Sequence, residues 1–264
     1  MPYRNDLLDV RGVRTHLFQG GRGRPVLVLH PEFCAGQWYP YHDRLASHFR
    51  IVAPDHPGFG ESERPDWVEH VDDLVFHYRD LLDLLGLERV SVIGTSLGGW
   101  IAAALAIAHP ERIERLVLAA AGGIRVEGVA RFDVFAAPIE ETLRHLFFDE
   151  ARIPQLLPAA HGPEVLLRAY RESTTLARLA WNPYFYDRKL QERLPRIKAP
   201  TLVIWGEKDT FLPPRHGEEI ARLIPGATLR TIPDCGHLVP LEEAEQFARL
   251  CTDFLQPPSP AIQH

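Results

Sequence analysis

Val90-Ser91-Val92-Ile93-Gly94-Thr95-Ser96-Leu97-Gly98-Gly99-Trp100 joins three signals in one short segment. Val90 to Ile93 has the length and apolarity of a strand buried on both faces. Trp100 to Ala108 continues with helical spacing. Between them Ser96 stands among glycines, as a sharp strand-to-helix turn requires: a tight turn against neighbouring strands leaves no room for a Cβ. A serine on such a turn projects its hydroxyl clear of the backbone. The N-terminus of the next helix points at the same spot, so the free N–H of Leu97 can hydrogen-bond an oxyanion. G-x-S-x-G arises by chance in five residues. The strand before it and the helix after it make it specific.

Working outward, similar apolar runs recur at Pro25 to Leu29, Ile51 to Ala53, Leu116 to Ala119, Thr201 to Trp205 and Thr228 to Ile232. Helical spacing fills the intervals at Tyr39 to His48, Val71 to Leu85, Leu97 to Ala108, Gly217 to Leu223 and Leu241 to Leu255. Strands alternating with helices predict an α/β fold, a mostly parallel sheet of about eight strands covered on both faces. Leu7 to Val10 and Val13 to Phe18, parted by Gly12, read as a hairpin that adds an antiparallel edge.

From Gly122 to about Pro195 the alternation stops. Helical patterns at Ile139 to Phe148 and Val165 to Ala180 are divided by Pro138, Pro154, Pro158, Pro163 and Pro183, and aromatics are frequent. Such an insertion after the sixth strand reads as a helical lid. The expected division is therefore a core of residues 1–122 and 196–256, a cap of residues 123–195, and a flexible tail of residues 257–264 with its Pro257-Pro258-Ser259-Pro260. With 264 residues the chain is long enough to bury a large core without metals or disulfides. A net charge of -6 argues against a nucleic-acid partner. Cys34, Cys235 and Cys251 match no disulfide framework or metal spacing, and no apolar run is long enough to span a membrane. The expectation is a soluble, cytoplasmic monomer or homodimer acting on a small molecule without cofactor or metal.

A serine hydroxyl needs a base. Of 13 histidines, His237 in Cys235-Gly236-His237 stands out, because it follows a strand, where an open α/β sheet places its ligand groups. Its other nitrogen needs an acceptor. Asp209 follows the strand ending at Trp205 and completes the order Ser, Asp, His; Glu207 is a nearby competitor, and Glu127 and Asp133 are remoter ones. A second oxyanion donor is expected from His30-Pro31-Glu32-Phe33-Cys34. Pro31 has no N–H, so the donor is the backbone of Glu32 or Phe33. Trp38, Trp100, Trp181 and Tyr184 are candidates for the substrate pocket.

Together the elbow Gly94 to Gly98, the loop at His30, Asp55-His56-Pro57-Gly58-Phe59-Gly60-Glu61-Ser62, Asp209 and Gly236-His237 resemble the α/β-hydrolase fold superfamily. The resemblance is to its capped branch of esterases, perhydrolases and carbon–carbon bond hydrolases. It implies a Ser96, His237, Asp209 triad, with Asp55 to Ser62 as a structural turn. The serine sets the chain apart from haloalkane dehalogenases and epoxide hydrolases, which carry an aspartate there. Two features depart from the pattern. The usual His-Gly is His30-Pro31, which places Glu32, two after the histidine, as the donor; its side chain is either a solvated carboxylate or a substrate-contacting or water-positioning group. Leu238 stands where meta-cleavage carbon–carbon hydrolases usually have tryptophan. The leading expectation is hydrolysis of small to medium apolar carboxylic esters through an acyl-enzyme. The alternatives are carbon–carbon bond hydrolysis or perhydrolysis with the same residues, or a non-catalytic ligand-binding protein.

Overall fold

The computed structural model describes residues 2–156 and 162–256. The expected tail and Pro158 lie outside the described residues. Eight strands form one sheet: β1 (Tyr3–Val10), β2 (Val13–Gly20), β3 (Pro25–Leu29), β4 (Arg50–Pro54), β5 (Val90–Thr95), β6 (Ile113–Ala119), β7 (Thr201–Gly206) and β8 (Thr228–Ile232). Their order is β1-β2-β4-β3-β5-β6-β7-β8. Both pairings of β2, with β1 and with β4, are antiparallel, and every other pairing is parallel. The apolar runs of β5, β6 and β7 are buried along almost their whole length because helices cover both faces. At the far edge β8 differs: Thr228, Arg230 and Thr231 are exposed, as a strand with a single neighbour permits.

The helices are α1 (Pro40–Ala46), α2 (Val71–Leu84), α3 (Leu97–Ala108), α4 (Ile139–Leu146), α5 (Ile153–Leu156), α6 (Pro163–Ala180), α7 (Leu190–Arg193), α8 (Arg215–Leu223), α9 (Val239–Glu242) and α10 (Ala244–Leu255). Helices α4 to α7 occupy the interval between β6 and β7, where the strand alternation stops. The continuous helix expected over Leu241 to Leu255 is instead two, broken at Glu243. The adjacent Glu242 carboxylate accepts the N–H groups of Gly236 (2.8 Å) and Phe148 (2.9 Å), so the first of these helices serves the loop that carries His237. No helix among the described residues is long and apolar enough to cross a membrane.

Strand order places the site. The chain runs from β3 to β4 on one side, then crosses to β5 on the other, so the crossovers diverge at the carboxyl ends of β3 and β5. A crevice opens there in sheets of this kind. Glu32 follows β3 and Ser96 follows β5. The close approach of α3 to β3 depends on Gly98, where a Cβ would lie 2.3 Å from the Leu29 carbonyl oxygen and 2.6 Å from that of His30. Backbone on both sides of this contact has no flexible end to yield. Gly98→Ala is expected to cost about 2–3 kcal/mol by overpacking, lowering the thermal midpoint by about 5–10 °C. Calorimetry on the full chain checks this, and an unchanged midpoint would show that α3 moves freely on the sheet.

Candidate active site

Ser96 sits between β5 and α3 with φ 50° and ψ −114°, a conformation side chains rarely adopt. Three backbone hydrogen bonds hold it: its N–H donates to the Ala119 carbonyl, and its carbonyl accepts from Trp100 and Gly122, each at 3.0 Å. Gly94 is as necessary as Gly98, since a Cβ on it would meet the Gly98 carbonyl oxygen at 2.3 Å. The hydroxyl is thereby fixed and aimed off the end of the sheet.

The three residues named from separate stretches converge. His237 Nε2 lies 2.7 Å from Ser96 Oγ, and Nδ1 lies 2.8 Å from Asp209 Oδ2. The other carboxylate oxygen of Asp209 accepts the N–H groups of Phe211 (2.9 Å) and Leu212 (2.8 Å), which lock its orientation. Glu207 points elsewhere, accepting a hydrogen bond from Thr231 on the exposed edge. Ser96, Asp209 and His237 are all buried. Burial alone would push the His237 imidazole below its ordinary value, but the charge and hydrogen bond of Asp209, aided by Glu32 and Glu242, outweigh it and raise the pKa.

The Leu97 N–H points into the site, but it already donates to Glu32 Oε2 at 3.2 Å, while Glu32 Oε1 accepts from the Ser96 hydroxyl at 3.0 Å. The idea of a solvated Glu32 is therefore wrong: the residue is fully buried. Phe33, next in the chain, has φ 64°. The loop is held by a pair of histidines. His30 Nε2 accepts the His56 N–H at 3.0 Å, and the His56 ring donates back to the His30 carbonyl at 2.8 Å. Asp55 supports the same loop by accepting from Gly36 (2.7 Å) while it pairs with His16 (2.6 Å).

The end of α4 meets the histidine loop. The N–H groups of His237 and Leu238 both donate to the Leu146 carbonyl (3.0 and 3.1 Å), and Phe211 packs 4.5 Å from the His237 ring. A cavity of about 570 Å³ lies beyond Phe211, lined in part by Phe132, Phe135, Phe185, Tyr184 and Arg131. Its lining includes neither Ser96 nor His237, so Phe211 separates it from the triad. Of the four aromatic pocket candidates only Tyr184 lines this cavity. Trp181 packs beside Tyr184 with the rings tilted by 42° and is half exposed. Trp100 is buried against Phe185, and Trp38 stacks on Tyr3 at the hairpin edge while donating to Asp43. Both are packing residues, which aromatic content alone could not distinguish from pocket residues.

Residues 25–244 match the family model described as alpha/beta hydrolase fold. The chain is 31% identical to a 2-hydroxy-6-oxo-6-phenylhexa-2,4-dienoate hydrolase of Burkholderia cepacia, over 92% of this chain and 91% of that protein. It is 32% identical to a 2-hydroxymuconate semialdehyde hydrolase of Pseudomonas sp. (strain CF600), again over 92% and 91%. Among solved structures, a meta-cleavage product hydrolase from Pseudomonas fluorescens superposes with a TM-score of 0.79 at 25% identity, covering 95% of this chain and 96% of that one. These relatives are hydrolases of carbon–carbon bonds, which overturns the expectation of ester cleavage. A triad specifies attack on a carbonyl but not the bond that breaks; Leu238, the residue after the histidine, is fully buried, with its N–H on the Leu146 carbonyl. With its eight-stranded sheet and nearly full-length matches, the chain belongs to the alpha/beta hydrolase fold family and is a hydrolase.

Proposed function

We propose that this chain cleaves a carbon–carbon bond in 2-hydroxy-6-oxo-2,4-dienoates, with Ser96 as nucleophile, His237 as base and Asp209 orienting that base. The observation that carries the reading is the Ser96–His237–Asp209 relay, found in a chain whose relatives at 31–32% identity are named for such substrates.

The chemistry is a hydrolytic retro-condensation. Moving the 2-hydroxyl proton to C5 converts the dienol into a 2,6-diketone with a double bond between C3 and C4. The Ser96 proton passes to His237 as Oγ bonds to C6, and the oxyanion formed is held by backbone N–H groups of Leu97 and the Glu32–Phe33 loop. The oxyanion collapses, the C5–C6 bond breaks, and its electron pair spreads through the C3–C4 double bond to the C2 oxygen. That dienolate leaves as a 2-hydroxypenta-2,4-dienoate on taking the proton from His237. Water then gives a proton to His237 and adds to the acyl carbon, and Ser96 departs with the proton. The sum is one water consumed and one carboxylic acid released. The roof made by α4 and its following loop keeps bulk water from the acyl group until the dienolate has left.

Turnover is expected with 2-hydroxy-6-oxo-6-phenylhexa-2,4-dienoate, followed as loss of the dienolate absorbance, with benzoate and 2-hydroxypenta-2,4-dienoate as products. Ser96→Ala should lower kcat by about 10⁴-fold or more. A folded protein that leaves every 2-hydroxy-6-oxo-dienoate untouched would contradict the reading. Asp209→Asn, which removes the acceptor that fixes the tautomer, is expected to cost about 10⁴-fold in kcat; a loss under tenfold would remove Asp209 from the relay.

A pH dependence follows from the raised His237 pKa. The base acts when neutral, so kcat/KM should climb with pH through a midpoint above the ordinary histidine value of 6.5. The linked stability runs the other way. A folded-state pKa above the unfolded one stabilises fully below the unfolded value, and this is lost as pH rises through the folded value. An acid limb at or below pH 6.5 would show that Asp209 does not outweigh burial.

A further inference from the structure

The Glu32 carboxylate stands where the acyl oxygen of a substrate belongs. Its Oε2 takes the Leu97 N–H at 3.2 Å, and its Oε1 accepts the Ser96 hydroxyl at 3.0 Å while lying 4.0 Å from His237 Nε2. A hydroxyl has a single proton. With that proton given to Glu32, the 2.7 Å contact between Ser96 and His237 has Nε2 as donor, which leaves the imidazole charged and unable to act as base. One side chain thus occupies an oxyanion donor and misdirects the serine proton together. A negative charge growing on an acyl oxygen would also be repelled by a carboxylate at this distance, and strongly so in a site closed to water.

The backbone that carries Glu32 is not free to withdraw. His30 and His56 clamp the residues before it, and the His30 ring donates to the Pro31 carbonyl at 2.7 Å. Cys34 behind it is buried, and the Gly36 N–H is held by Asp55. Rotation of the Glu32 side chain is the movement that opens the position.

We propose that Glu32 is a specificity-determining residue: its carboxylate is a built-in occupant of the oxyanion position, and a substrate reacts when its own binding energy displaces that carboxylate. This rests on the reading of Ser96 as nucleophile given above. Contacts to remote parts of a substrate supply the displacement, so small acyl groups are excluded although the triad is assembled. Removing the carboxylate leaves a gap of its own shape, with the Leu97 N–H unpartnered and the Ser96 hydroxyl turned to His237, and a free carboxylate fits that gap.

The test is the rate at which a small fluorophosphonate labels Ser96 in the full chain, with and without sodium acetate at constant ionic strength. Glu32→Ala should be labelled about ten- to hundredfold faster than the wild type, the range expected when a charge-assisted hydrogen bond no longer opposes entry. Glu32→Gln, which keeps the shape and loses the charge, should also be faster, by a smaller factor. Acetate should slow the Ala variant and leave the wild type unchanged, a difference that a merely structural role for Glu32 would not produce. Labelling of folded Glu32→Gln at or below the wild-type rate overturns the proposal, whether or not Glu32→Ala folds, and so does equal protection of wild type and Ala variant by acetate. No labelling of any variant, or equal labelling of Ser96→Ala, contradicts Ser96 as nucleophile instead.

Discussion

His237 makes two hydrogen bonds, 2.8 Å to Asp209 and 2.7 Å to Ser96, and all three residues are buried. Each partner arrives from a different strand end: Ser96 after β5, Asp209 after β7, and His237 from the loop after β8. The imidazole can hold both only while the parallel strands keep their register and the loops leave the sheet on the same side. Much of the surrounding structure serves that constraint. Gly94 lets α3 press against β5 and Gly98 lets it press against β3, two backbone amides fix Asp209, and Glu242 ties the histidine loop to the chain after α4.

The same constraint sets the electrostatics. A buried imidazole on its own would stay neutral, yet three carboxylates bear on this one and favour its charged form. Asp209 is fixed and contributes in every state. Glu32 is attached through a side chain that can rotate, so the balance at His237 depends on what fills the oxyanion position. Catalytic readiness and site occupancy are then coupled through charge, without any change in the sheet.

The parts of this arrangement that depend on local pattern were legible in the sequence. The apolar run before Ser96, the flanking glycines and the helical spacing after it imposed the elbow, and Asp209 and His237 were found because each follows a strand. What depends on three-dimensional packing was not. The Glu32 side chain is held by Ser96 and Leu97, 64 and 65 positions away, and its loop by the His30–His56 clamp, which joins residues 26 positions apart; none of these leaves a periodic trace. Trp38 and Trp100 look like pocket residues by composition and are packing residues by position. The break at Glu243 escaped because the helical pattern continues across it, while the Glu242 carboxylate takes its hydrogen bonds from outside the helix, from Gly236 in the preceding loop and from the distant Phe148. The scissile bond was misjudged for a related reason: the triad determines how a carbonyl is attacked, and the leaving group is chosen by the walls around it.

The most direct test is to quench the protein during turnover of 2-hydroxy-6-oxo-6-phenylhexa-2,4-dienoate and sequence its peptides by tandem mass spectrometry. The account predicts a benzoyl group on the peptide containing Ser96, attached to that serine and absent from Asp209→Asn quenched at the same moment. Accumulation of both products with Ser96 unmodified throughout, or the benzoyl group on another residue, would contradict it.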